Sequence, residues 1–506
     1  MKRDTELKRA ISLIIKSGYQ IGSEAFQILK DASEKVDLDA LVKSIIEEVN
    51  NLSEKPLFLE PELIERKIKE MRKKEKLTVI TTGKSGYKPY AKEIEPEMEI
   101  IRDPAKSIST TGTLENYVKY FRSRFLKIKK ILRSRVDSKD SGSISQALRA
   151  PTNSKVKFIC MLMEKRESTN GIFLYVEDLE ANATVFVPSH NLDLYRKGQR
   201  LMLDQVICIC AVKGKNNLLI AEDIILPDLP LKKPRRANLP VYVALLSDMH
   251  VGSKMFIEKA FRRFLSWLKG EVGNRYLREI ASHVKYIIIA GDIVDGVGIY
   301  PQQIRELEID DIYKQYEAAA KLIEEIPEYI EVILIPGNHD ACRRALPQPV
   351  LSREYAEPLY EVRENYFLGN PCMLSLHKVK VLVTHGRSLD DVISAIPGMT
   401  FERPDEAMRF LLQCRHLAPT YGSRTLIASE PVDHLVVEEK PDIFHAGHVH
   451  MMSYSFYRGT AVVNSGAWQE QTEYQKEMGH TPNPGIAPII DLQSFRIFPI
   501  NFISDF

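Results

Sequence analysis

The stretch PDIFHAGHVH, residues 441–450, ends an apolar segment with three histidines, His445, His448 and His450. The whole chain has only 12 histidines. A cluster of three therefore indicates either a crowded loop without chemistry or part of a metal site with further ligands elsewhere. The segment PDIFHA is typical of a buried strand, so the histidines follow a predicted strand end. The metal interpretation requires similar clusters at other strand ends.

Four other apolar segments of the C-terminal half also stop at a polar cluster. Helix-like stretches such as IEKAFRRFLSWLKGEV and IYKQYEAAAKLIEEI lie between the first of them. The carboxyl ends of buried strands are where α/β folds gather their sites, so clusters spread over about 200 residues can converge. The segments are VYVALL before SDMH (241–250), YIIIA before GDIVDG (286–296), EVILIP before GNHD (331–340) and VKVLV before THGR (379–387).

The side chains in these clusters are ligands for transition metals. Carboxylate, imidazole and amide oxygen together suit Mn²⁺, Fe²⁺ or Zn²⁺ better than Mg²⁺. The spacings D-x-H and H-x-H let residues i and i+2 point the same way and bind one ion. There are too many candidates for one ion and enough for two. They are Asp248, His250, Asp292, Asn338, His339, His385, His448 and His450.

The motifs D-x-H, G-D-x-x-D, G-N-H-D, a His before Gly, and G-H-x-H resemble, in this order, the calcineurin-like metallophosphoesterase signature. The resemblance covers roughly residues 241 to 470. It implies an α/β sandwich that binds two metal ions. By this resemblance, Asp248, His250 and His450 hold one ion, Asn338, His385 and His448 hold the other, and Asp292 bridges them.

The same resemblance implies roles for the residues around the metals. His339 is expected to protonate the leaving oxygen or stabilise the charged transition state, and Asp340 to orient it. Asp295 is expected to support its loop. His445 is expected to pack in the core or to contact a metal-ligating residue without binding the metal itself. Two ions in such a site activate a shared water and clamp both oxygens of an in-line displacement at phosphorus.

The metallophosphoesterase fold serves protein phosphatases, nucleotide phosphodiesterases and nucleases, so the substrate needs other observations. The motif GNHD, rather than GNHE, and the missing Arg-Gly after GDIVDG argue against a protein phosphatase. The stretches LLSDMHVGSKMF, GDIVDGVGIYPQQ, PGNHDACRRALPQP, THGRSLDDVI and VNSGAWQEQTEYQK resemble the small-subunit family of archaeal D-family DNA polymerases, which belongs to the polymerase B-subunit family.

This finer resemblance implies a 3′→5′ proofreading exonuclease acting on single-stranded DNA or a frayed primer 3′ end. It implies a large catalytic polymerase subunit as partner, in a heterodimer or a higher assembly. We expect two divalent ions per chain, Mn²⁺ first, with Fe²⁺ and Zn²⁺ as alternatives. Two other interpretations stay open: a catalytically weak scaffold that docks the polymerase subunit, and a free-standing phosphodiesterase.

Several residues beside the motifs are candidates for substrate contacts. Arg343, Arg344 and Arg387 could hold a phosphate, and loop-structural roles are the alternative. Tyr300 and Trp468 could stack on bases, and core packing is the alternative for both.

Patterning along the chain predicts an α/β multidomain protein. Five β segments with Gly-bearing turns suit a small barrel of the OB type, with an SH3-like barrel as the alternative. The basic helix has either a solvated face or a phosphate-binding one. The predicted parts are a helical N-terminal domain (1–75), a flexible linker (76–115), a basic helix and connector (116–150), the OB-type barrel (151–230) and the metallophosphoesterase domain (241–506).

Composition and charge limit the classes of protein. Residues 1–240 carry a balance of +11 and residues 241–506 a balance of −9, so one part suits phosphates and the other cations. Uneven surface charge between domains is the alternative. The N-terminus lacks the apolar core of a signal peptide, and no apolar run approaches a membrane span. We expect a cytoplasmic, nucleoid-associated archaeal protein without a membrane. The six cysteines have no CxxC pair, which argues against a zinc ribbon or a disulfide framework.

Overall fold

The computed structural model divides the chain into two compact units, Met1–Tyr87 and Lys88–Phe506. In the second unit it describes residues 88–477, 479–504 and 506. In the first unit the described residues are 10–14, 17, 19–22, 25–26, 28–29, 38–50, 58–59, 61, 63–64, 66–67 and 87.

Among the described residues of the N-terminal unit, Leu38–Asn50 form the amphipathic helix α1, and β1 (Gln20–Ile21) pairs parallel with β2 (Phe58–Leu59). Leu41, Val42 and Ile45 are fully buried, as their spacing of three and four predicts for one helix face. The stretch LVKSIIEEVNNL (41–52) of the predicted helical domain has apolar residues at helical spacing, and its helix is confirmed as far as Asn50. Much of the rest of the predicted helical domain (1–75) and the predicted linker before residue 87 lie outside the described residues.

The flexible linker predicted for residues 76–115 is wrong from residue 87 onward. Met98–Arg102 form β3, which pairs antiparallel with β13 (Cys372–Leu376), and 3₁₀ turns occupy Tyr90–Glu93 and Pro104–Ser107. The sequence pattern did not predict this strand because it lies at the edge of its sheet. Glu99 and Ile100 are exposed there, so apolar and polar residues need not alternate.

The basic segment forms helix α2 (Leu114–Arg133), capped by the Thr113 side chain. Phe125, Ile128 and Leu132 pack against the barrel strands. Arg124 is fully buried, and its Nε lies 2.9 Å from Asp433 Oδ2. A solvated face and a phosphate contact were the predicted alternatives; for Arg124 the structure shows a third role, a buried ion pair.

Residues 155–225 form a closed barrel with strand order β4-β5-β6-β8-β7. β4 closes the barrel on β7 in antiparallel fashion, and β6 pairs parallel with β8. The predicted barrel is confirmed, and its assignment to the OB type stays a prediction. One of the five predicted β segments, GQRLMLDQVICICAVKG (198–214), forms a strand only from Val206, because Leu192–Gln199 are helical. The strands are β4 (Lys155–Ser168), β5 (Gly171–Glu177), β6 (Asn182–Pro188), β7 (Val206–Lys213) and β8 (Leu219–Ile225), and the helices are α3 (Ile144–Arg149) and α4 (Leu192–Gln199).

The remaining chain builds two six-stranded sheets, ordered β12-β11-β10-β9-β18-β19 and β16-β17-β15-β14-β13-β3. Apolar residues of both sheets share one core, in which Val243 and Ile288 of the first meet Val381 of the second. The strands are β9 (Tyr242–Leu246), β10 (Val284–Ala290), β11 (Glu331–Ile335), β12 (Tyr366–Phe367), β14 (Val379–Val383), β15 (Ile443–Ala446), β16 (Ser453–Tyr457), β17 (Thr460–Asn464), β18 (Ile486–Asp491) and β19 (Ile497–Asn501).

All five strands predicted before polar clusters are present. β9, β10 and β11 run parallel in the first sheet, and β14 and β15 run parallel in the second. Among the described residues, no helix combines the length and apolar character needed to cross a membrane. The helices are α5 (Glu258–Leu268), α6 (Arg275–Ser282), α7 (Ile312–Glu324), α8 (Arg353–Glu361), α9 (Leu389–Ala395), α10 (Pro404–Cys414) and α11 (Glu473–Glu477).

Candidate metal centre

The polar clusters at the five strand ends converge on one cavity of about 420 Å³. Five of the predicted ligand residues hold left-handed backbone there, although none is glycine. Such a backbone is uncommon for residues with a Cβ, and strained positions concentrate at functional sites. The residues are Asp248 (φ 52°), His250 (φ 51°), Asp292 (φ 52°), His448 (φ 72°) and His450 (φ 58°).

Two glycines in the motifs allow the loops to approach each other. A Cβ at Gly337 would collide with the carboxylate of Asp292, and a Cβ at Gly447 with the carboxylate of Asp248. The glycines of GNHD and GHVH therefore leave room for carboxylates that come from other strands.

Asp248, His250 and His450 form the first cluster, and their ligand atoms lie within 4.8 Å of one another. His250 Nε2 is 3.0 Å from His450 Nε2, and His450 Nε2 is 3.5 Å from Asp248 Oδ1. Oδ2 of Asp248 accepts a hydrogen bond from the His448 amide at 2.9 Å, but its buried Oδ1 has no hydrogen-bond partner. A buried unpaired carboxylate oxygen is costly, and a cation beside two imidazole nitrogens would satisfy it.

Asp292, His385 and His448 form the second cluster. His385 Nε2 lies 3.2 Å from Asp292 Oδ2 and 3.0 Å from the side-chain oxygen of Asn338. Asp292 Oδ2 is also 3.9 Å from His250 Nε2, so this carboxylate lies between the two clusters. The clusters contain the histidine and carboxylate groups needed to hold metal ions, and Asn338 adds an amide oxygen.

Second hydrogen bonds fix the rings of the ligand histidines. His250 Nδ1 lies 2.9 Å from Asp295 Oδ1, and His385 Nδ1 lies 2.8 Å from the carbonyl oxygen of Ala290. Both rings therefore present Nε2 to the cavity, as metal-ligating histidines do. Asp295 itself accepts hydrogen bonds from Gln303 and Gln469, at 2.9 Å and 3.0 Å.

The charges of the two clusters act strongly on one another. Burial alone would raise the pKa of Asp248, but the nearby imidazoles of His450 and His385 lower it to about 2. Burial alone would lower the pKa of His385, but the Asp292 carboxylate raises it to about 9. The carboxylates thus attract positive charge to the place where the ligand atoms meet.

His339 reaches the cavity with a side chain that is 15% exposed. Its Nδ1 donates to the carbonyl oxygen of Asp295 at 2.7 Å, and its Nε2 is 4.0 Å from Asp292 Oδ2. The expected orienting role of Asp340 stays a prediction, because no hydrogen bond joins its carboxylate to the His339 ring in the described part of the chain. The Asp340 carboxylate instead accepts hydrogen bonds from the amides of Gly337 and Ile293, at 2.8 Å and 3.2 Å, and so holds two loops together.

Comparison with known proteins places this geometry in a family. The family model for the B-subunit of DNA polymerases alpha and epsilon matches residues 243–454, which include every ligand cluster. The chain is 40% identical over 455 residues to the DNA polymerase II small subunit of Pyrococcus horikoshii, with 88% of this chain and 73% of that protein covered. The chain belongs to the archaeal DNA polymerase II small-subunit family.

Another member, the DNA polymerase II small subunit of Archaeoglobus fulgidus, is 39% identical over 479 residues, which cover 94% of this chain and 91% of that protein. Among solved structures, an archaeal phosphodiesterase matches 51% of this chain and 99% of its own chain, with a TM-score of 0.27 and 14% identity. A similarity that low carries no argument about the fold.

The three arginines predicted as candidates for phosphate binding differ in their contacts and in their exposure. Arg343 donates to the carbonyl oxygen of Pro347 and pairs with the buried Glu430 at 3.0 Å, so it holds a loop. Arg387 lines the cavity, with Nη1 2.5 Å from Asp390 Oδ2 and 3.1 Å from His448 Nε2. Arg344 is exposed and lines an adjoining groove.

Of the remaining residues that the sequence suggested, one lines the cavity and two are buried in the core. Tyr300 lines the cavity and stacks on Tyr474, with ring centroids 5.2 Å apart. Trp468 is 1% exposed and packs against Phe261, so it belongs to the core. His445 is buried against Ser465, 3.0 Å from its Oγ, and lies outside both clusters.

Sequence reasoning missed the outer wall of the cavity. Asp390 Oδ2 lies 3.2 Å from His448 Nε2, and the amide of Gln475 donates to His450 Nδ1 at 2.9 Å. Both residues stand inside stretches that carried the family resemblance, but they follow no strand end. Tyr474 lies in one of these stretches too, and the wall residues without a sequence signal are Phe401, Arg424 and His480.

Proposed function

We propose that this chain is the exonuclease subunit of a replicative DNA polymerase, which hydrolyses DNA phosphodiesters in the 3′→5′ direction for proofreading. The observation that carries the proposal is the unpaired buried Oδ1 of Asp248, which faces two imidazole nitrogens. A protein without metal chemistry has no reason to bury such an acceptor beside a strained loop.

Two metal ions fit the side chains that are present. Asp248, His250 and His450 would hold one ion, and Asn338, His385 and His448 the other. Asp292 would bridge them. Two divalent ions in such a site lower the pKa of a water and neutralise the charge of the phosphodiester. The mixture of nitrogen and oxygen ligands favours Mn²⁺, with Fe²⁺ and Zn²⁺ as alternatives.

The residues of the chain supply the other parts of the reaction. The bond to the carbonyl oxygen of Asp295 fixes a proton on His339 Nδ1, so Nε2 faces the cavity. In its protonated form, His339 can donate from Nε2 to the leaving 3′ oxygen or stabilise charge on the phosphate. Arg387 adds a guanidinium at the cavity wall for a phosphate oxygen.

The relatives are named small subunits, so we propose a large polymerase subunit as the partner of this chain. A catalytically weak scaffold is the main alternative. A scaffold does not need His339 held at a cavity between two ligand clusters, and this placement favours the enzyme. A free-standing phosphodiesterase would leave the barrel and helix α2 without a role.

The test is degradation of 5′-labelled single-stranded DNA by the purified chain with Mn²⁺. We expect a ladder that shortens from the 3′ end and is abolished by Asp292→Asn and by His339→Ala. His190→Ala, at an exposed histidine of the barrel, is the matched control and should degrade DNA like the wild type. If the wild type is inactive alone and also with the large subunit, the scaffold interpretation is correct.

A further inference from the structure

A second groove, of about 560 Å³, adjoins the metal-centre cavity. Ile299, Asn338 and His339 line both spaces. The far wall of the groove carries Arg344 and Tyr355, and we call it the Tyr355 groove. A single DNA strand whose scissile phosphate lies beside His339 can therefore extend along the protein surface into this groove.

The lining of the Tyr355 groove combines the cation of Arg344 with Tyr355, one ring of a stacked aromatic pair. Within the part of the chain that the structure describes, no hydrogen bond or ion pair engages the exposed guanidinium of Arg344, whereas its neighbour Arg343 is bound to Glu430. Tyr355 stacks on Tyr313, with ring centroids 5.5 Å apart and planes inclined by 27°. Tyr313 is 47% exposed, so the pair is open to solvent.

The groove is held in shape by hydrogen bonds rather than by a mobile edge. The buried side chain of Gln315 binds the loop at Gly296 twice, accepting from its amide at 2.8 Å and donating to its carbonyl oxygen at 3.1 Å. The Ala341 amide donates to Tyr316 Oη at 2.9 Å. A preformed wall loses little conformational entropy when a ligand binds.

We propose that the Tyr355 groove binds the nucleotides that adjoin the scissile one in single-stranded DNA. A base would stack on the Tyr355–Tyr313 pair, and a backbone phosphate would bind Arg344. Stacking aromatics with a nearby cation is the combination by which proteins bind single strands without reading their sequence. The volume of the groove lies within the range of roughly 300–1,000 Å³ that holds small ligands. This inference rests on the proposed function, because it places the strand relative to the proposed site.

Photo-crosslinking tests the groove independently of hydrolysis. A single-stranded oligonucleotide with 5-iodouracil next to its 3′-terminal nucleotide is bound to the full chain in EDTA, irradiated and mapped by mass spectrometry. We expect the crosslink on Tyr355 or Tyr313. A bound oligonucleotide that crosslinks only elsewhere overturns the proposal, and the groove is then free for another occupant such as a segment of a partner protein.

Kinetics supply the second measurement. For Tyr355→Ala and Arg344→Ala, the ratio of kcat/KM for a single-stranded oligonucleotide to kcat/KM for thymidine 5′-monophosphate p-nitrophenyl ester should fall by roughly 5- to 100-fold. Arg353→Ala is the matched arginine control, since Arg353 lies on α8 over Tyr360 and outside the groove. Tyr454→Ala, an exposed tyrosine outside both spaces, is the tyrosine control. An unchanged ratio in Tyr355→Ala and Arg344→Ala overturns the proposal.

The two measurements separate this inference from the proposed function. If the wild type hydrolyses DNA but crosslinks form only outside the groove, the proposed exonuclease activity is supported and the proposed binding role of the groove is contradicted. If a crosslink forms at Tyr355 but no hydrolysis is detected, the groove is supported as a single-strand binding site and the proposed exonuclease activity is contradicted.

Discussion

Asp295 holds His339 in place through its backbone: its carbonyl oxygen accepts a hydrogen bond from His339 Nδ1 at 2.7 Å. The carboxylate of the same residue lies 2.9 Å from His250 Nδ1. One residue that was expected only to support a loop thus orients both a metal-ligand candidate and the proposed acid. Because the two contacts use different atoms, substitution of the side chain can separate them.

We expect Asp295→Asn to weaken Mn²⁺ binding while leaving the His339 contact intact. The carboxylate receives bonds from the side chains of His250, Gln303 and Gln469, and an asparagine amide would turn a donor toward one of them. Loss of such an outer bond typically weakens metal binding about 10- to 100-fold. Titration calorimetry with Mn²⁺ measures the change. Asp310→Asn, at an exposed aspartate, is the control and should bind like the wild type.

His339→Ala should remove hydrolysis but retain Mn²⁺ binding, because His339 is the proposed acid and not one of the proposed ligands. Calorimetry and the DNA-degradation assay on the same preparation test the two halves of this prediction. If Mn²⁺ binding were lost together with hydrolysis, His339 would be a metal ligand, which its position within 4.8 Å of His250 and Asp292 also allows.

Asp340→Ala should act on stability rather than on the His339 ring. The substitution leaves the buried amides of Gly337 and Ile293 without their acceptor, which costs about 1–3 kcal/mol for each unsatisfied group. Urea unfolding of the wild type and the variant measures the difference in free energy of unfolding. An unchanged free energy of unfolding with a lowered rate of hydrolysis would instead support the orienting role that the sequence predicted.

Arg124→Met should strongly destabilise the second unit. Asp433 is fully buried and receives bonds from both Arg124 and His416, so removal of Arg124 leaves its charge poorly compensated. Breaking a buried pair in this way costs about 3–5 kcal/mol. Lys119→Ala breaks an exposed pair with Glu115 on the same helix and should leave the free energy of unfolding nearly unchanged. Equal effects of the two substitutions in urea unfolding would contradict this prediction.

The buried histidine of that cluster predicts a loss of stability in acid. Burial and the neighbouring Arg124 lower the pKa of His416 from 6.5 to about 4, despite Asp433. Between these two values the unfolded chain holds more protons than the folded chain, so the free energy of unfolding falls as the pH decreases from 6.5 to 4. The shift corresponds to about 3 kcal/mol.

Urea unfolding at pH 7 and pH 5 measures the part of this loss that falls above pH 5, since the lowered pKa of His416 is about 4. His416→Gln should lose less stability than the wild type between the two pH values, because glutamine does not titrate. Equal losses in both proteins would show that other groups carry the acid sensitivity.

The sequence predicted the parts of the site that local patterns encode. Buried parallel strands are continuous apolar runs, and a ligand pair such as Asp248 and His250 needs only a spacing of two. The clusters of both sheets meet because parallel strands end at the same edge. These signals were sufficient to bring all the proposed ligands together.

The parts that the sequence left open or missed depend on tertiary contacts. The sequence assigns Asp340 to its neighbour His339, but its carboxylate turns toward Gly337 and Ile293. The sequence left a phosphate contact and a loop-structural role open for Arg343, and its partner Glu430, 87 positions away, favours the second. β3 carries no alternation because one sheet edge tolerates exposed side chains. No pattern in a single sequence encodes such distant pairings.

The left-handed backbone of the five proposed ligand residues affects which substitutions these positions can tolerate. Each such position costs roughly 1–3 kcal/mol wherever the surrounding structure enforces it. Glycine relieves that cost at Asp248, His250, Asp292, His448 or His450, but each exchange removes a ligand. Glycine at any one of these five positions should therefore relieve backbone strain while it removes a proposed ligand.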